Sequence, residues 1–101
     1  MFKASYTVEG IRGIQKGGGS ARRVAVDEIA KSVGGTIESF YFAFGDDDVY
    51  LIADLPDNKA AAAIVLAVGA SGAVALKTVV LLSPEEIDGA AERTVAYRPP
   101  G

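Results

Sequence analysis

The spacing of apolar and polar side chains predicts a strand and then a helix in the first third of the chain. In residues 2–8 every second side chain is apolar, as in a strand with one buried face. Five glycines within residues 9–19 predict a loop or one short helical turn. Ser20 is the predicted N-cap of an amphipathic helix that ends at Gly34 and Gly35, and its apolar positions recur at helical spacing (Val26, Ile29, Ala30 and Val33).

The middle of the chain predicts a hairpin followed by a helix and a strand. Residues 36–44 and 49–53 are apolar at both strand parities, which indicates a sheet covered on both faces. The acidic stretch 45–48 joins them as a tight turn. After Pro56, an apolar run capped by Asp57 predicts a second helix, and residues 73–82 predict a last long strand.

A terminal helix completes the predicted order. Ser83, Pro84 and Glu86 form a capping-box sequence with proline at the first helical position, and the helix should end near Arg93. Strand, helix, strand, strand, helix, strand is the order of a ferredoxin-like βαββαβ sandwich of the α+β class, here with an extra C-terminal helix. The 101 residues fit a single domain over residues 1–101.

The two apolar faces of the predicted sheet indicate self-association. Two helices cover only one face of a four-stranded sheet, so the second face would be exposed in a monomer. We therefore expect a homodimer, packed sheet to sheet or closed into a shared barrel.

The composition excludes several kinds of chemistry. The chain has no histidine, cysteine or tryptophan, so it lacks an imidazole base, a thiolate nucleophile and the usual zinc ligands. We expect no cofactor and no metal, although Asp46, Asp47 and Asp48 together are a candidate site for a hard cation. A solvated polar turn explains these three aspartates as well, and we favour it.

Charge and hydropathy limit the partners. The net charge is −3 and the basic residues form no concentrated stripe, so nucleic acid is not expected. The uncharged stretch 60–76 is interrupted by the turn signal at 69–72, which favours a buried helix and a strand over a membrane span. The amino terminus has no apolar leader segment, and we expect a cytoplasmic protein.

Two sets of side chains are candidates for binding. A glycine-rich loop that enters a helix beside two guanidinium groups predicts an anion site at Gly19, Ser20, Arg22 and Arg23. The alternative is a helix cap with surface arginines paired to carboxylates such as Asp27.

The second set consists of polar-tipped side chains on apolar strands, which are candidates for lining a cavity between sheet and helices: Tyr6, Tyr41, Tyr50 and Lys77. The alternative is that they are core or interface residues whose polar tips reach the rim. Lys77 is the only charged residue in 60–82, so its partner must come from another part of the chain or from a second copy.

Several blocks of sequence resemble the GYD domain family of small bacterial proteins: YTVEGI at 6–11, GGSARR at 18–23, FYFAFG at 40–45, VGASGA at 68–73 and LSPEE at 82–86. The resemblance covers nearly the whole chain and implies an assembly of the dimeric α+β barrel type. In the motif that names the family, Gly45 and Asp48 match, whereas Asp47 stands in the tyrosine position.

Two functions from different classes follow. We favour a non-catalytic homo-oligomeric module that binds a small anionic or apolar ligand or serves a structural role. The alternative is a cofactor-independent enzyme of the monooxygenase or isomerase type with a cavity lined by tyrosine and lysine, which the shared barrel assembly suggests by analogy. The missing histidine weighs against the enzyme.

Overall fold

A computed structural model describes all 101 residues and has four strands and three helices. The elements in chain order are β1 (Phe2–Tyr6), α1 (Val8–Ser32), β2 (Thr36–Phe42), β3 (Val49–Asp54), α2 (Asn58–Ala70), β4 (Val74–Thr78) and α3 (Pro84–Ala91). The strands form one sheet in the order β2-β3-β1-β4, and every neighbouring pair is antiparallel. This confirms the predicted α+β, ferredoxin-like fold.

The core lies between the sheet and the first two helices. Every second residue of β1 and β3 points toward α1 and α2. These residues form the buried cluster together with one residue from α1 and one from β4 (Phe2, Ala4, Val26, Val49, Leu51 and Val74). Val49 is the largest side chain of this cluster that is fully buried. Helix α1 covers β1 and β2, and α2 covers β4.

The opposite face of the sheet carries no helix of this core and is of mixed character. By strand register, the side chains on this helix-free face are Lys3, Ser5, Thr36, Ser39, Tyr41, Tyr50, Ile52, Asp54, Ala75 and Lys77. Strands β2 and β3 were predicted to be apolar at both parities, and they contribute Tyr41, Tyr50 and Ile52 to this face, whereas β1 and β4 contribute Lys3, Ser5 and Lys77. Strand β2 also has a β-bulge between Ile37 and Ser39. The bulge shifts the alternation, so Ile37 and Phe40 both pack against the core although they differ in parity.

The glycine-rich stretch predicted as a loop is helical. Helix α1 starts at Val8, and its N-cap is Thr7, whose hydroxyl accepts a hydrogen bond from the Gly10 N–H at 3.4 Å. The helix is interrupted at Gly18, where φ is 82°, a value that glycine adopts without a steric penalty. Ser20 is therefore not the cap that the sequence predicted.

The ends of the other helices follow the predicted signals. The N–H groups of Gly34 and Gly35 bond to the carbonyls of Lys31 and Ala30, which is the Schellman arrangement at the end of α1. The Asp57 carboxylate caps α2 by accepting from the Ala60 N–H at 2.8 Å. None of the three helices combines the length and hydropathy needed to cross a membrane.

The last predicted strand is shorter than its apolar sequence suggests. Strand β4 ends at Thr78, and beyond it the Val79 N–H donates to the Met1 carbonyl at 2.7 Å. Residues 80–82 then lead into α3, which begins with the predicted capping box between Ser83 and Glu86. Residues 80–82 are exposed, and α3 buries no residue of its own.

Candidate functional site

Four polar-tipped side chains lie in one row across the helix-free face. Tyr41 of β2 pairs with Tyr50 of β3, Tyr50 neighbours Lys3 of β1, and Lys3 pairs with Lys77 of β4. Three of the four predicted cavity residues are thus brought together, but on the side of the sheet away from the helices. Lys3 was missed because the alternation of the first strand marks it only as an outward-facing polar residue.

Asp47 lies beside this row and is the one buried carboxylate of the chain, with 3% of its surface exposed. Its Oδ1 accepts hydrogen bonds from Ser5 Oγ at 3.0 Å and from Lys77 Nζ at 3.2 Å. The bond from Lys77, followed by that from Ser5, lowers the pKa of the Asp47 carboxyl. The partner that Lys77 required therefore comes from the β2–β3 connection of the same chain.

The three consecutive aspartates of the β2–β3 connection lie in different environments. Asp48 Oδ2 accepts from the Tyr6 backbone N–H at 2.8 Å, so two of the three carboxylates bind neighbouring strands. Asp46 alone is exposed and makes no hydrogen bond with the rest of the chain. No group of three carboxylates has an arrangement that could hold a metal ion.

Tyr6 lies on the helix side of the sheet and borders a groove of about 510 Å³. This α1 groove runs between α1, the start of β4 and the carboxyl end of α2. Most of its wall is apolar or glycine, with the polar side chains of Tyr6, Glu9, Arg22 and Ser71 (the other lining residues are Gly10, Gly13, Ile14, Gly17, Gly18, Ala21, Ala25, Ile29, Val68, Ala73 and Val74).

Arg22 is the cationic residue of the α1 groove and pairs with no carboxylate. Its Nε donates to the Tyr6 hydroxyl oxygen at 3.4 Å, and its guanidinium carbon lies 5.8 Å from the centre of the Tyr6 ring. The ion pairs of the chain are Arg23 with Asp27 and Lys77 with Asp47, so neither involves Arg22. Within the chain, its hydrogen bond and its cation–π contact are thus with the hydroxyl and the ring of Tyr6.

The other three residues predicted for the anion site lie apart from Arg22. Arg23 Nε donates to Asp27 Oδ1 at 3.1 Å, one turn further along α1, and its Nη2 reaches the Ile37 carbonyl at 3.5 Å. Gly19 lies under the Phe42 ring, which a Cβ would meet at 3.0 Å. Ser20 is exposed, so the structure distributes these four residues over different surroundings.

Two glycines of α1 leave space open in the groove. A Cβ at Gly13 would meet no atom within 4 Å, and one at Gly17 would only touch Ala21 at 3.9 Å. Gly10 differs, because a Cβ there would collide with the Ala73 carbonyl and the Tyr6 ring. A helical glycine is destabilising by about 0.5–1 kcal/mol relative to alanine, and no intrachain contact offsets this at Gly13 or Gly17.

Comparison with known proteins gives one positive result. The model of the GYD domain matches residues 1–91 of the chain. No curated protein and no solved structure matched the sequence. The α1 groove and the helix-free face both lie within the matched range, and residues 92–101 lie outside it.

Proposed function

The chain belongs to the GYD domain family, and we propose that it is a non-catalytic homodimeric module whose sheets pair through their helix-free faces and which binds a small molecule. The observation that supports this best is the large exposed surface of a single copy. Pairing of the two copies and binding of the small molecule are independent parts of this proposal, and each is tested by its own experiment.

A single copy exposes more surface than a stable monomer of its size. Its accessible area is 7344 Å² for 10.4 kDa, whereas monomers of this mass expose about 5,400 Å², an excess of about 2,000 Å². The radius of gyration is 16.7 Å, compared with about 13 Å for a typical domain of 100 residues. The excess is larger than the roughly 800 Å² that each partner buries in a standard interface, and it includes surface of residues 84–101, all of which are exposed.

The helix-free face carries two neighbouring tyrosines, a residue type that is enriched at interfaces. Tyr41 of the edge strand β2 is 69% exposed, and it lies beside Tyr50 and Ile52 of the inner strand β3. Tyrosine is enriched at interfaces because its ring is buried readily while its hydroxyl reaches water or a partner. Lys77 already pairs with Asp47, so pairing of two faces leaves Lys3 and Asp54 in need of a new partner or a path to the rim.

The chemistry of the polar residues favours binding over catalysis. Asp47 is held ionised by its lowered pKa and already accepts two hydrogen bonds, which makes it a poor proton acceptor. In the α1 groove the titratable side chains are Tyr6, Glu9 and Arg22. A guanidinium does not release its proton near neutral pH, so it acts as an anion binder and not as an acid.

Sedimentation velocity at micromolar concentration tests the pairing. The wild-type protein should sediment as a dimer, and Tyr41→Lys should weaken the dimer at least tenfold because a tyrosine contact would be replaced by a charge buried in the interface. Leu66→Lys is the matched control, since Leu66 is 75% exposed on α2, away from the helix-free face. A monomeric wild type, or a dimer lost in Leu66→Lys but kept in Tyr41→Lys, contradicts the proposal.

A further inference from the structure

We propose that the α1 groove binds a small apolar monocarboxylic acid, with the carboxylate on Arg22 and Tyr6 and the hydrocarbon part along the helix. This deepens the ligand-binding part of the proposed function and rests on it. It does not depend on the homodimer, because every residue involved belongs to one chain.

The size and walls of the groove suit a compact apolar molecule. Its volume of about 510 Å³ falls within the 300–1,000 Å³ range that is typical of small-molecule sites. Ile14, Ala25, Ile29 and Val68 supply apolar surface on the α1 and α2 sides. A flexible or aromatic hydrocarbon of about six to ten carbons would fit a groove of this volume, and it would replace water along the apolar wall.

The polar end of the groove is arranged to receive a carboxylate. Arg22 uses its Nε–H toward Tyr6, which leaves its two Nη groups for the two oxygens of one carboxylate. The Tyr6 oxygen accepts that bond, so its own O–H remains available to donate to the same ligand. The break at Gly18 also gives the segment that carries Arg22 its own amino-terminal end, which favours a negative charge.

Glycines keep the groove open. Gly13 and Gly17 lie on the groove wall, and no atom of the chain occupies the space that their side chains would fill. Alanine would be the better helix former at both positions. Both glycines are exposed, so a ligand can approach the groove wall there without meeting a side chain, next to the Arg22 guanidinium, which has no carboxylate partner.

Glu9 narrows the ligand class. It is the one acidic residue of the groove wall, and its negative charge opposes polyanions such as phosphate more strongly than a single carboxylate with an apolar tail. The arrangement therefore selects a monocarboxylate and disfavours inorganic phosphate.

Isothermal titration and amide chemical-shift mapping with octanoate and 3-phenylpropionate test this inference. Both acids should bind the wild-type protein and shift amide signals of residues 9–26. Octanamide and 3-phenylpropanamide keep the hydrocarbon but lack the charge, and they should bind at least tenfold more weakly. Inorganic phosphate should give no saturable shift.

Three variants locate the site. Arg22→Met should lose at least tenfold in octanoate affinity, whereas the matched control Arg23→Met should bind as the wild type does, because Arg23 already pairs with Asp27. Gly13→Phe should block the groove, and Gly13→Ala verifies that the position tolerates a side chain. Glu9→Gln should bind octanoate as well as or better than the wild type.

Each outcome bears on a separate proposal. Failure of both acids to bind a dimeric wild type overturns the ligand class and leaves the pairing intact. Binding of octanoate by a monomeric wild type supports the ligand class and refutes the pairing. Loss of the dimer in Gly13→Phe would mean that a second copy occupies the groove, and it overturns the inference.

Discussion

Asp47 joins three parts of the sheet through two hydrogen bonds. It lies in the connection between β2 and β3, yet its carboxylate binds Ser5 of β1 and Lys77 of β4. Lys77 is 67% exposed at its side chain, whereas that of Asp47 is only 5% exposed. The aspartate is therefore the constrained member of the pair, and the lysine reaches to it from the surface.

The ionisation of Asp47 predicts a loss of stability in acid. Its pKa in the folded state lies below the ordinary value of 3.8, so its contribution to stability is complete above that value and is lost as the pH falls through the folded pKa. The urea midpoint of the wild type should therefore exceed that of Asp47→Asn by a constant amount above about pH 5. Below about pH 4 the difference should shrink.

Two other variants separate this effect from general acid unfolding. Asp46→Asn changes an exposed neighbour that makes no hydrogen bond with the rest of the chain, so its urea midpoint should follow the wild type at every pH. Lys77→Met removes the largest cause of the lowered pKa and should weaken the pH dependence. A difference between wild type and Asp47→Asn that does not change with pH would contradict the prediction.

Two glycines of α1 provide opposite tests of packing. A Cβ at Gly10 would collide with the Ala73 carbonyl and the Tyr6 ring, so Gly10→Ala should destabilise the fold by about 1–3 kcal/mol. Gly13 has open space around it, so Gly13→Ala should stabilise the fold by about 0.5–1 kcal/mol. Urea unfolding of the two variants measures both effects, and equal shifts in the same direction would show that helix propensity alone decides.

At the scale of elements, the helix caps could be predicted from sequence and the interruptions could not. Asp57 and Ser83 act within three residues of themselves, so local spacing was sufficient to find them. The first half of α1 was predicted as a loop because glycine has low helix propensity. Its N-cap, Thr7, is held by a hydrogen bond from its hydroxyl to the Ala73 carbonyl, 66 residues away in the chain, which local sequence does not reveal.

The bulge in β2 is a second feature that local pattern could not reveal. Without it, the residues of this strand alternate as two apolar faces. With it, Ile37 joins Phe40 on the core side and leaves the helix-free face. The row of Tyr41, Tyr50, Lys3 and Lys77 was equally hidden, because cross-strand register depends on pairing between distant segments.

Removal of the capping side chain should have different effects on stability in α2 and in α3. Helix α2 buries Ala60 and Ile64 against the sheet, so Asp57→Ala should lower the global stability by about 1 kcal/mol in urea unfolding. Helix α3 buries no residue, so Ser83→Ala should leave the urea midpoint unchanged and speed amide exchange only within Pro84–Ala91. A global loss of stability in Ser83→Ala would show that α3 is part of the cooperative unit.

For the whole molecule, the order of elements was sufficient to predict the fold. Strand and helix order restricts a four-stranded antiparallel sheet with two helices to few arrangements, and the ferredoxin-like order is one of them. The sequence predicted exposed apolar surface on the sheet, and the structure has further exposed apolar side chains elsewhere. Six of the large exposed side chains lie beyond β4 and not on the sheet: Val80, Leu81, Leu82, Ile87, Val95 and Tyr97.

This C-terminal surface is an alternative site of pairing, and deletion of residues 92–101 distinguishes part of it from the helix-free face. These residues lie outside the family match and include Val95 and Tyr97, which are 77% and 74% exposed. If the helix-free faces form the interface, the truncated chain should remain a dimer in sedimentation velocity with a dissociation constant within about threefold of the wild type, since a change of 0.6 kcal/mol corresponds to roughly that factor. Tyr41→Lys in the truncated chain should then dissociate it. A truncated chain that is monomeric with Tyr41 intact would place the interface on the C-terminal segment.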